Sequence, residues 1–159
     1  MIGIYAGRFQ PFHLGHLESL EYIMNKAEET FVCICSKKGD SPLDDRNPFE
    51  YDERKNMIEL SLGILPRVHF KHVKDQDSDE EWTQIIEKEM PKGRKVSFSN
   101  NPHTISAFKE HGYETQSLPI KYDNLNATLV RKLIIRNEKW EHLVPFGTWK
   151  VVEEIRNEL

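Results

Sequence analysis

The stretch Ile2-Gly-Ile-Tyr-Ala-Gly-Arg-Phe-Gln-Pro-Phe-His-Leu-Gly-His16 decides the fold. Its first part, Ile2 to Ala6, is a short apolar run typical of a buried strand. From Leu14 onward the leucines follow helical spacing, so a helix begins shortly after the strand ends. In α/β proteins ligands bind beyond the carboxyl ends of such strands. The sequence between Gly7 and His16 is therefore the first place to look for a functional site.

The rest of the chain repeats this alternation of short apolar runs and longer helical patterns. Further strands are predicted at 31–36, 68–73, 95–98 and 113–118. Further helices are predicted after the second strand with Gly63 as a stop, then at 80–89, at 102–111 closed by Gly112, and at 145–159. This order predicts an α/β fold: a Rossmann-like parallel sheet of about five strands flanked by helices. We expect a single domain, residues 1–159, with a C-terminal helix.

Composition limits the classes of partner. The chain has 159 residues and a net charge of −4, from 22 Lys and Arg against 26 Asp and Glu, so it lacks the basic balance typical of nucleic-acid binders. No apolar run approaches the ~20 residues of a membrane span, and the N-terminus does not resemble a secretory signal. Cys33 and Cys35 lie in an apolar strand and are expected to be buried and reduced. These features favour a cytoplasmic protein that binds neither nucleic acid nor membrane.

The junction after the first strand combines residues suited to phosphate. Gly7 permits close approach of a ligand or a positive φ, and Arg8 supplies a fixed positive charge. His13 and His16 are three residues apart, so their side chains leave one face of a helical turn. Gly15 leaves room near helix-start amides that we expect to be unpaired and to attract anions. The alternative is that each histidine only caps the helix or packs.

His13-Leu-Gly-His16 matches the H-x-G-H signature, and the chain resembles the nucleotidylyltransferase α/β superfamily. The longer string from Gly7 to His13 resembles the archaeal-type nicotinamide mononucleotide adenylyltransferases. The resemblance runs over almost the whole chain. It implies transfer of AMP from ATP to nicotinamide mononucleotide, giving NAD and pyrophosphate. It also implies Mg²⁺ carried by the ATP phosphates, no dedicated metal site, and weakly an assembly of identical chains.

A second motif lies late in the chain. Asn126-Ala-Thr-Leu-Val-Arg131 resembles the family's S-x-T-x-x-R signature, whose hydroxyls and arginine hold the ATP phosphates. Thr128 and Arg131 match, whereas Asn126 replaces the leading serine. The Asn126 amide can donate a hydrogen bond or cap the helix. From residue type alone Arg131 would be a solvated helix residue, so its role rests on the resemblance.

Three further residues are assigned to the acceptor by resemblance. Arg54 lies in the family's N-P-F-x-x-x-E-R segment and could instead form an ion pair within its helix. Trp82 matches a tryptophan that stacks on the nicotinamide ring, with core packing as the alternative. Asn101 lies in a nucleotide-contacting turn that could also be an ordinary helix N-cap.

The resemblance thus gives a complete set of expected site residues. The catalytic residues are His13, His16 and Arg131. The ATP-binding residues are Gly7, Arg8, Phe9, Gly15, Asn126, Thr128 and Arg131. The alternatives are a nucleotidylyltransferase for another acceptor (phosphopantetheine, FMN, or glycerol or choline phosphate), a nucleotide sensor without turnover, and a zinc module built on the two histidines.

Overall fold

The computed structural model describes residues 1–158, and Leu159, the last residue of the expected C-terminal helix, lies outside the described residues. The strands are β1 (Ile2–Gly7), β2 (Glu29–Ser36), β3 (Val68–Lys74), β4 (Lys95–Phe98) and β5 (Glu114–Gln116). The helices are α1 (Leu14–Lys26), α2 (Tyr51–Leu62), α3 (Asp79–Glu87), α4 (Pro102–Glu110), α5 (Ala127–Ile135), a 3₁₀ turn (Glu141–Leu143) and α6 (Phe146–Asn157). Within residues 1–158, no helix has the length and apolar character needed to span a membrane.

The five strands form one parallel sheet in the order β3-β2-β1-β4-β5. This confirms the predicted α/β fold with a Rossmann-like sheet of five strands. The strand order reverses at β1, which lies in the middle of the sheet. The carboxyl end of β1 is therefore the topological switch point of the fold, the usual position of a ligand site in open α/β sheets.

The chain divides into two compact units, so the single domain expected over 1–159 stays a prediction. The first unit contains residues 1–7, 19–41 and 66–119, and therefore the whole sheet together with α3 and α4. The second contains residues 8–18, 42–65 and the chain from 120 onward, and therefore α2, α5 and α6. Helix α1 begins in the second unit and ends in the first.

Helices cover both faces of the sheet in the first unit. Ile4 of β1 belongs to a buried cluster that includes Ile86 of α3 and Phe108 of α4. The adjacent Gly3 faces the other side of the sheet, because successive residues of a strand alternate between its two faces. A Cβ at Gly3 would lie 2.7 Å from Ile23 of α1, so the glycine allows that helix to pack closely on the sheet.

The two cysteines are packing residues, as predicted. Cys33 and Cys35 are buried thiols that are not joined in a disulfide, and both lie in the same cluster as Ile4. Burial, followed by the neighbouring Cys35, raises the pKa of the Cys33 thiol well above its usual range. Because the thiolate is the reactive form, Cys33 is poorly suited to redox or nucleophilic chemistry.

The second unit depends on close contact between α2 and α6. Gly147, at the start of α6, donates its N–H to Ser61 Oγ at 3.1 Å. Ser61 in turn donates to the Met57 carbonyl at 2.6 Å. A Cβ at Gly147 would overlap the Met57 carbonyl oxygen and lie 2.5 Å from Ser61 Oγ. Backbone of one helix therefore touches backbone of the other at this glycine.

We expect Gly147→Ala to lower the free energy of unfolding by about 3 kcal/mol or more, because the two helices must separate to admit the methyl group. Helix propensity alone predicts the opposite sign, a gain of up to ~1 kcal/mol. Urea denaturation measures the change. The double variant Gly147→Ala, Ser61→Ala removes the hydroxyl overlap but keeps the carbonyl overlap, so we expect it to remain unstable. A wild-type midpoint for Gly147→Ala would contradict this account of the packing.

Candidate active site

The turn that follows β1 is held by side chains from three helices. Three alternate carbonyl oxygens of this turn each accept a hydrogen bond: Arg8 O from Arg54 Nη1 of α2 at 2.8 Å, Gln10 O from Arg131 Nη1 of α5 at 2.8 Å, and Phe12 O from Thr148 Oγ1 of α6 at 2.6 Å. A carbonyl oxygen carries a partial negative charge and would repel a phosphate. These three contacts occupy such oxygens, and they bring the two motifs identified in the sequence into direct contact.

Gln10 fixes the turn to the segment before α2. Its side-chain Nε2 donates to the Phe49 carbonyl and its Oε1 accepts from the Phe49 N–H, both at 3.0 Å. Gln10 is almost fully buried, and a buried amide needs such partners. The Asn47-Pro-Phe49 segment is thus joined to the turn by paired hydrogen bonds.

His13 and His16 form a reciprocal cap at the start of α1. His13 precedes the first helical residue, and its Nδ1 accepts from the N–H groups of Gly15 at 3.0 Å and His16 at 3.3 Å. His16, three residues later, returns the contact, because its Nδ1 accepts from the His13 N–H at 3.1 Å. This is the hydrogen-bond pattern of a capping box, built from two imidazoles. The H-x-G-H spacing therefore places the histidines at the N-cap and N3 positions.

The cap fixes the protonation of both rings. A ring nitrogen that accepts an N–H bond carries no proton, so each Nδ1 is unprotonated and each neutral ring carries its proton on Nε2. Burial lowers the pKa of His13 to about 4. Burial and then repulsion from His13 hold the pKa of His16 well below its usual range. The stacked rings, with centroids 3.6 Å apart, are therefore neutral near pH 7 and offer Nε2–H donors.

Gly15 makes room for an imidazole. The prediction that the amides of Gly15 and His16 are unpaired is wrong, because both donate to the His13 ring. A Cβ at Gly15 would lie 2.9 Å from His13 Cε1. Glycine at this position therefore lets the His13 ring cover the helix start. A phosphate at this end of α1 would meet the ring Nε2 donors instead of these two amides.

The side chain of Phe9 packs against the His16 ring. Its side chain is 1% exposed and contacts the His16 ring edge-on, with centroids 4.9 Å apart. Phe12 stacks on the same ring at 5.8 Å. The positive φ of the turn occurs at Phe9, with a value of 52°, and Gly7 closes β1. The Phe9 side chain thus positions an imidazole, and the expected contact of Phe9 with ATP stays a prediction.

Arg131 belongs to the second unit, as the two histidines do. Besides its bond to Gln10, its Nη2 donates to Thr128 Oγ1 at 3.3 Å. Burial and then the positive charge of Arg46 lower the pKa of Arg131, while Asp44 acts in the opposite direction. Arginine keeps its proton in such surroundings. The half-buried guanidinium is therefore a fixed cation held in place by a carbonyl and a hydroxyl.

Asn126 caps helix α5. Its Oδ1 accepts from the Leu129 N–H at 2.8 Å, which was one of the two roles considered for this residue. The cap leaves the side-chain Nδ2 as the group that could contact a nucleotide.

Arg8, the other cation assigned to ATP, is exposed at the start of the turn.

The Arg54 guanidinium bonds backbone carbonyls. It is 2% exposed, and its Nε donates to Glu50 O at 3.3 Å while its Nη1 donates to Arg8 O. These contacts make Arg54 a positioning residue for the turn. Its expected role at the acceptor stays a prediction.

The other two acceptor residues lie in the first unit. Trp82 of α3 is half-buried, packs against the core cluster, and meets Phe108 edge-on with centroids 5.4 Å apart. Asn101 is exposed and caps α4, since its Oδ1 accepts from the N–H groups of His103 and Thr104. The packing of Trp82 and the capping by Asn101 are thus both observed. The remaining surface of the indole is the part that could meet an acceptor.

Sequence reasoning did not single out Gln10, Thr148 or Arg46. Gln10 and Thr148 act through backbone atoms of residues far away in the chain, and only the position of Gln10 between strand and helix hinted at a role. Arg46 lies in a polar loop directly before Asn47-Pro-Phe49. Its positive charge is the second influence, after burial, that lowers the pKa of Arg131.

Curated relatives match the chain over nearly its whole length. The nicotinamide-nucleotide adenylyltransferase of Saccharolobus solfataricus is 34% identical over 161 residues, covering 98% of this chain and 92% of the relative. Nicotinamide-nucleotide adenylyltransferase 1 of Sulfolobus acidocaldarius is 35% identical, covering 99% of this chain and 92% of the relative.

Solved structures share the fold. A bifunctional NMN adenylyltransferase/ADP ribose pyrophosphatase from Francisella tularensis, complexed with AMP and a manganese ion, superposes with a TM-score of 0.80 at 21% identity, covering 98% of this chain. This chain spans about half the length of that protein, 49%. The cytidylyltransferase-like family model matches residues 4–153, which include both histidines and Arg131, and the chain belongs to that family.

Proposed function

We propose that this protein transfers AMP from ATP to nicotinamide mononucleotide, producing NAD and pyrophosphate. The observation that carries the proposal is the pair of neutral imidazoles, each with its proton on Nε2. They lie in the same unit as the Arg131 guanidinium, which is held in place by its own hydrogen bonds. The names of the archaeal relatives, at 34–35% identity over the whole chain, support this choice of reaction.

The chemistry of the reaction suits these residues. The acceptor's 5′-phosphate is already a nucleophile, so the protein supplies no activated serine or cysteine and forms no covalent intermediate. It has to bring two anions together and stabilise the charge that develops on the leaving pyrophosphate. Neutral Nε2–H donors and a guanidinium provide this stabilisation, and they are held rigidly before the substrate arrives.

We assign the individual roles as follows. His16 donates to the α-phosphate and to the charge that develops there, and His13 donates to the neighbouring phosphate. Arg131 and Thr128 hold the β- and γ-phosphates, and Arg8 approaches the reacting phosphates. The close contact of Arg131 with Thr128 supports their joint role, because one phosphate could bind both groups.

Mg²⁺ is proposed to enter on the ATP phosphates. Mg²⁺ usually keeps several waters and takes few protein ligands in nucleotide sites. The manganese ion bound with AMP in the Francisella tularensis protein supports a divalent cation in the family.

A cytoplasmic location and self-association are proposed on the basis of the composition and the resemblance.

Trp82 is proposed as the platform for the nicotinamide ring. A half-exposed indole attracts a flat cationic ring by stacking and by cation–π interaction. Its edge contact with Phe108 fixes the orientation of the indole without requiring complete burial. Asn101 and Arg54 complete the proposed acceptor residues.

We expect Trp82→Ala to raise the KM for nicotinamide mononucleotide by about tenfold, the equivalent of a ring interaction of one to two kcal/mol. The KM for ATP should change little. Steady-state kinetics with each substrate varied in turn measures both constants. Trp149→Ala, which removes a partly exposed indole from α6, serves as the matched control. Equal increases in both KM values for Trp82→Ala would favour a purely structural role.

A pyrophosphate-release assay tests the proposed function directly. The acceptors are nicotinamide mononucleotide, phosphopantetheine, FMN and glycerol phosphate, each with ATP and with CTP. We expect turnover with ATP and nicotinamide mononucleotide, and NAD as the second product. Turnover with another acceptor alone would identify a different nucleotidylyltransferase. Nucleotide binding without pyrophosphate release would indicate a sensor.

A further inference from the structure

The first turn of α3 places a carboxylate beside the proposed nicotinamide platform. Asp79 is the first residue of α3 and Trp82 follows three residues later, so the two side chains lie on the same face of the helix. Asp79 is partly exposed, at 37% of its side chain, and Trp82 is half-buried. A ring lying on the free surface of Trp82 would therefore carry its 3-substituent within reach of a negatively charged group.

A histidine from the neighbouring helix meets the same carboxylate. His103 Nε2, in the first turn of α4, lies 3.4 Å from Asp79 Oδ1. The His103 N–H is also bound by the Asn101 cap, which fixes the start of α4 at this place. Asp79 thus faces the side of α3 on which Trp82 and the first turn of α4 both lie. The exposed Glu80 is the next residue along α3 and points in a different direction around the helix.

We propose that Asp79 makes the acceptor site select nicotinamide mononucleotide over its deamidated form, nicotinate mononucleotide. This inference rests on the proposed function. The two acceptors share the cationic ring and differ only in the 3-substituent, a neutral carboxamide in one and a carboxylate in the other. A carboxamide NH₂ donates to Asp79, whereas a carboxylate has no proton to donate and repels Asp79. Selection therefore comes from a favourable contact with one acceptor and a repulsive contact with the other.

The test compares two variants that each remove one negative charge from the first turn of α3. Asp79→Asn keeps the size of the side chain, can still accept from a carboxamide, and can donate to a carboxylate. We expect it to lower the ratio of kcat/KM for nicotinamide mononucleotide to kcat/KM for nicotinate mononucleotide by about tenfold, the scale of one like-charge contact near a surface. Most of the change should come from a lower KM for nicotinate mononucleotide. Glu80→Gln should leave the ratio within about twofold of wild type.

Several outcomes would overturn the inference. One is an unchanged ratio of the two kcat/KM values for Asp79→Asn. Another is an equal fall in this ratio for Glu80→Gln, which would indicate that the negative charge of the whole acidic turn is responsible. A wild-type enzyme that uses both acceptors equally well would also contradict it, although the proposed function would stand. A wild-type protein that adenylylates neither acceptor would refute the proposed function itself. Neither variant disturbs the helix cap, in which Ser78 Oγ accepts from the Glu81 N–H at 3.1 Å, so both should fold.

Discussion

His16→Ala should lower kcat by about 10²-fold or more, while the Kd for ATP changes only a few-fold. The reason is that a donor aimed at charge developing in the transition state contributes more to the rate than to ground-state binding. His16 is held by the His13 N–H and by two phenylalanine rings, so its Nε2–H is fixed in direction before the substrate arrives. Initial rates at saturating acceptor, together with calorimetric titration of ATP, separate the two constants.

Two further variants make this prediction specific. His142→Ala removes an exposed imidazole from the 3₁₀ turn and should leave kcat unchanged. His16→Gln keeps an N–H donor on a flexible side chain and should recover part of the lost rate. Because alanine also removes half of the reciprocal cap, the thermal midpoint of each variant is measured, and the assays are run well below it. Near wild-type turnover by a folded His16→Ala protein would contradict the assignment.

Arg131→Lys should lower kcat/KM for ATP by about 10²-fold, although the charge is retained. The guanidinium bonds a carbonyl through one nitrogen and a hydroxyl through another. A lysine ammonium is a compact charge without this planar fork, so it cannot hold the turn and bind a phosphate in the same geometry. Varying the ATP concentration at saturating acceptor measures the loss.

Lys132→Ala is the matched control, because Lys132 is the exposed neighbour of Arg131 on α5. It removes a full positive charge and should change kcat/KM by no more than about twofold, as expected for a solvent-exposed cation. If Lys132→Ala and Arg131→Lys gave equal losses, the general charge of the helix would be responsible, and the specific role of Arg131 would be lost.

The sequence predicted the fold well because its signals are local. Gly63 and Gly112 were expected to end helices, and both adopt positive φ, 83° and 84°. Gly63 directly follows α2, and Gly112 is the second residue after the end of α4. The expected strand at 113–118 is shorter, since only Glu114–Gln116 pairs with β4. Its last residue, Leu118, instead exchanges backbone hydrogen bonds with the side chain of Asn100. A side chain that replaces a neighbouring strand leaves no signal in hydrophobic periodicity.

The candidate site was predicted only in part, for a related reason. The spacing of His13 and His16 places both on one turn, but it does not reveal that each Nδ1 binds a backbone N–H of that turn. This detail reversed the expectation of unpaired amides around Gly15. The bonds from Arg131 and Thr148 to the turn join residues more than a hundred positions apart. Such contacts depend on tertiary packing, which residue type and spacing do not specify.

The central claim is that the Nε2–H groups of the two capping histidines and the fork of Arg131 bind the triphosphate of ATP. A crystal structure with a non-hydrolysable ATP analogue tests it most directly. We predict phosphate oxygens within about 3.2 Å of Nε2 of His13, of Nε2 of His16 and of the Arg131 guanidinium, with both Nδ1 atoms still bound to the helix amides. A triphosphate bound elsewhere, with no phosphate oxygen in contact with either ring, would contradict the account.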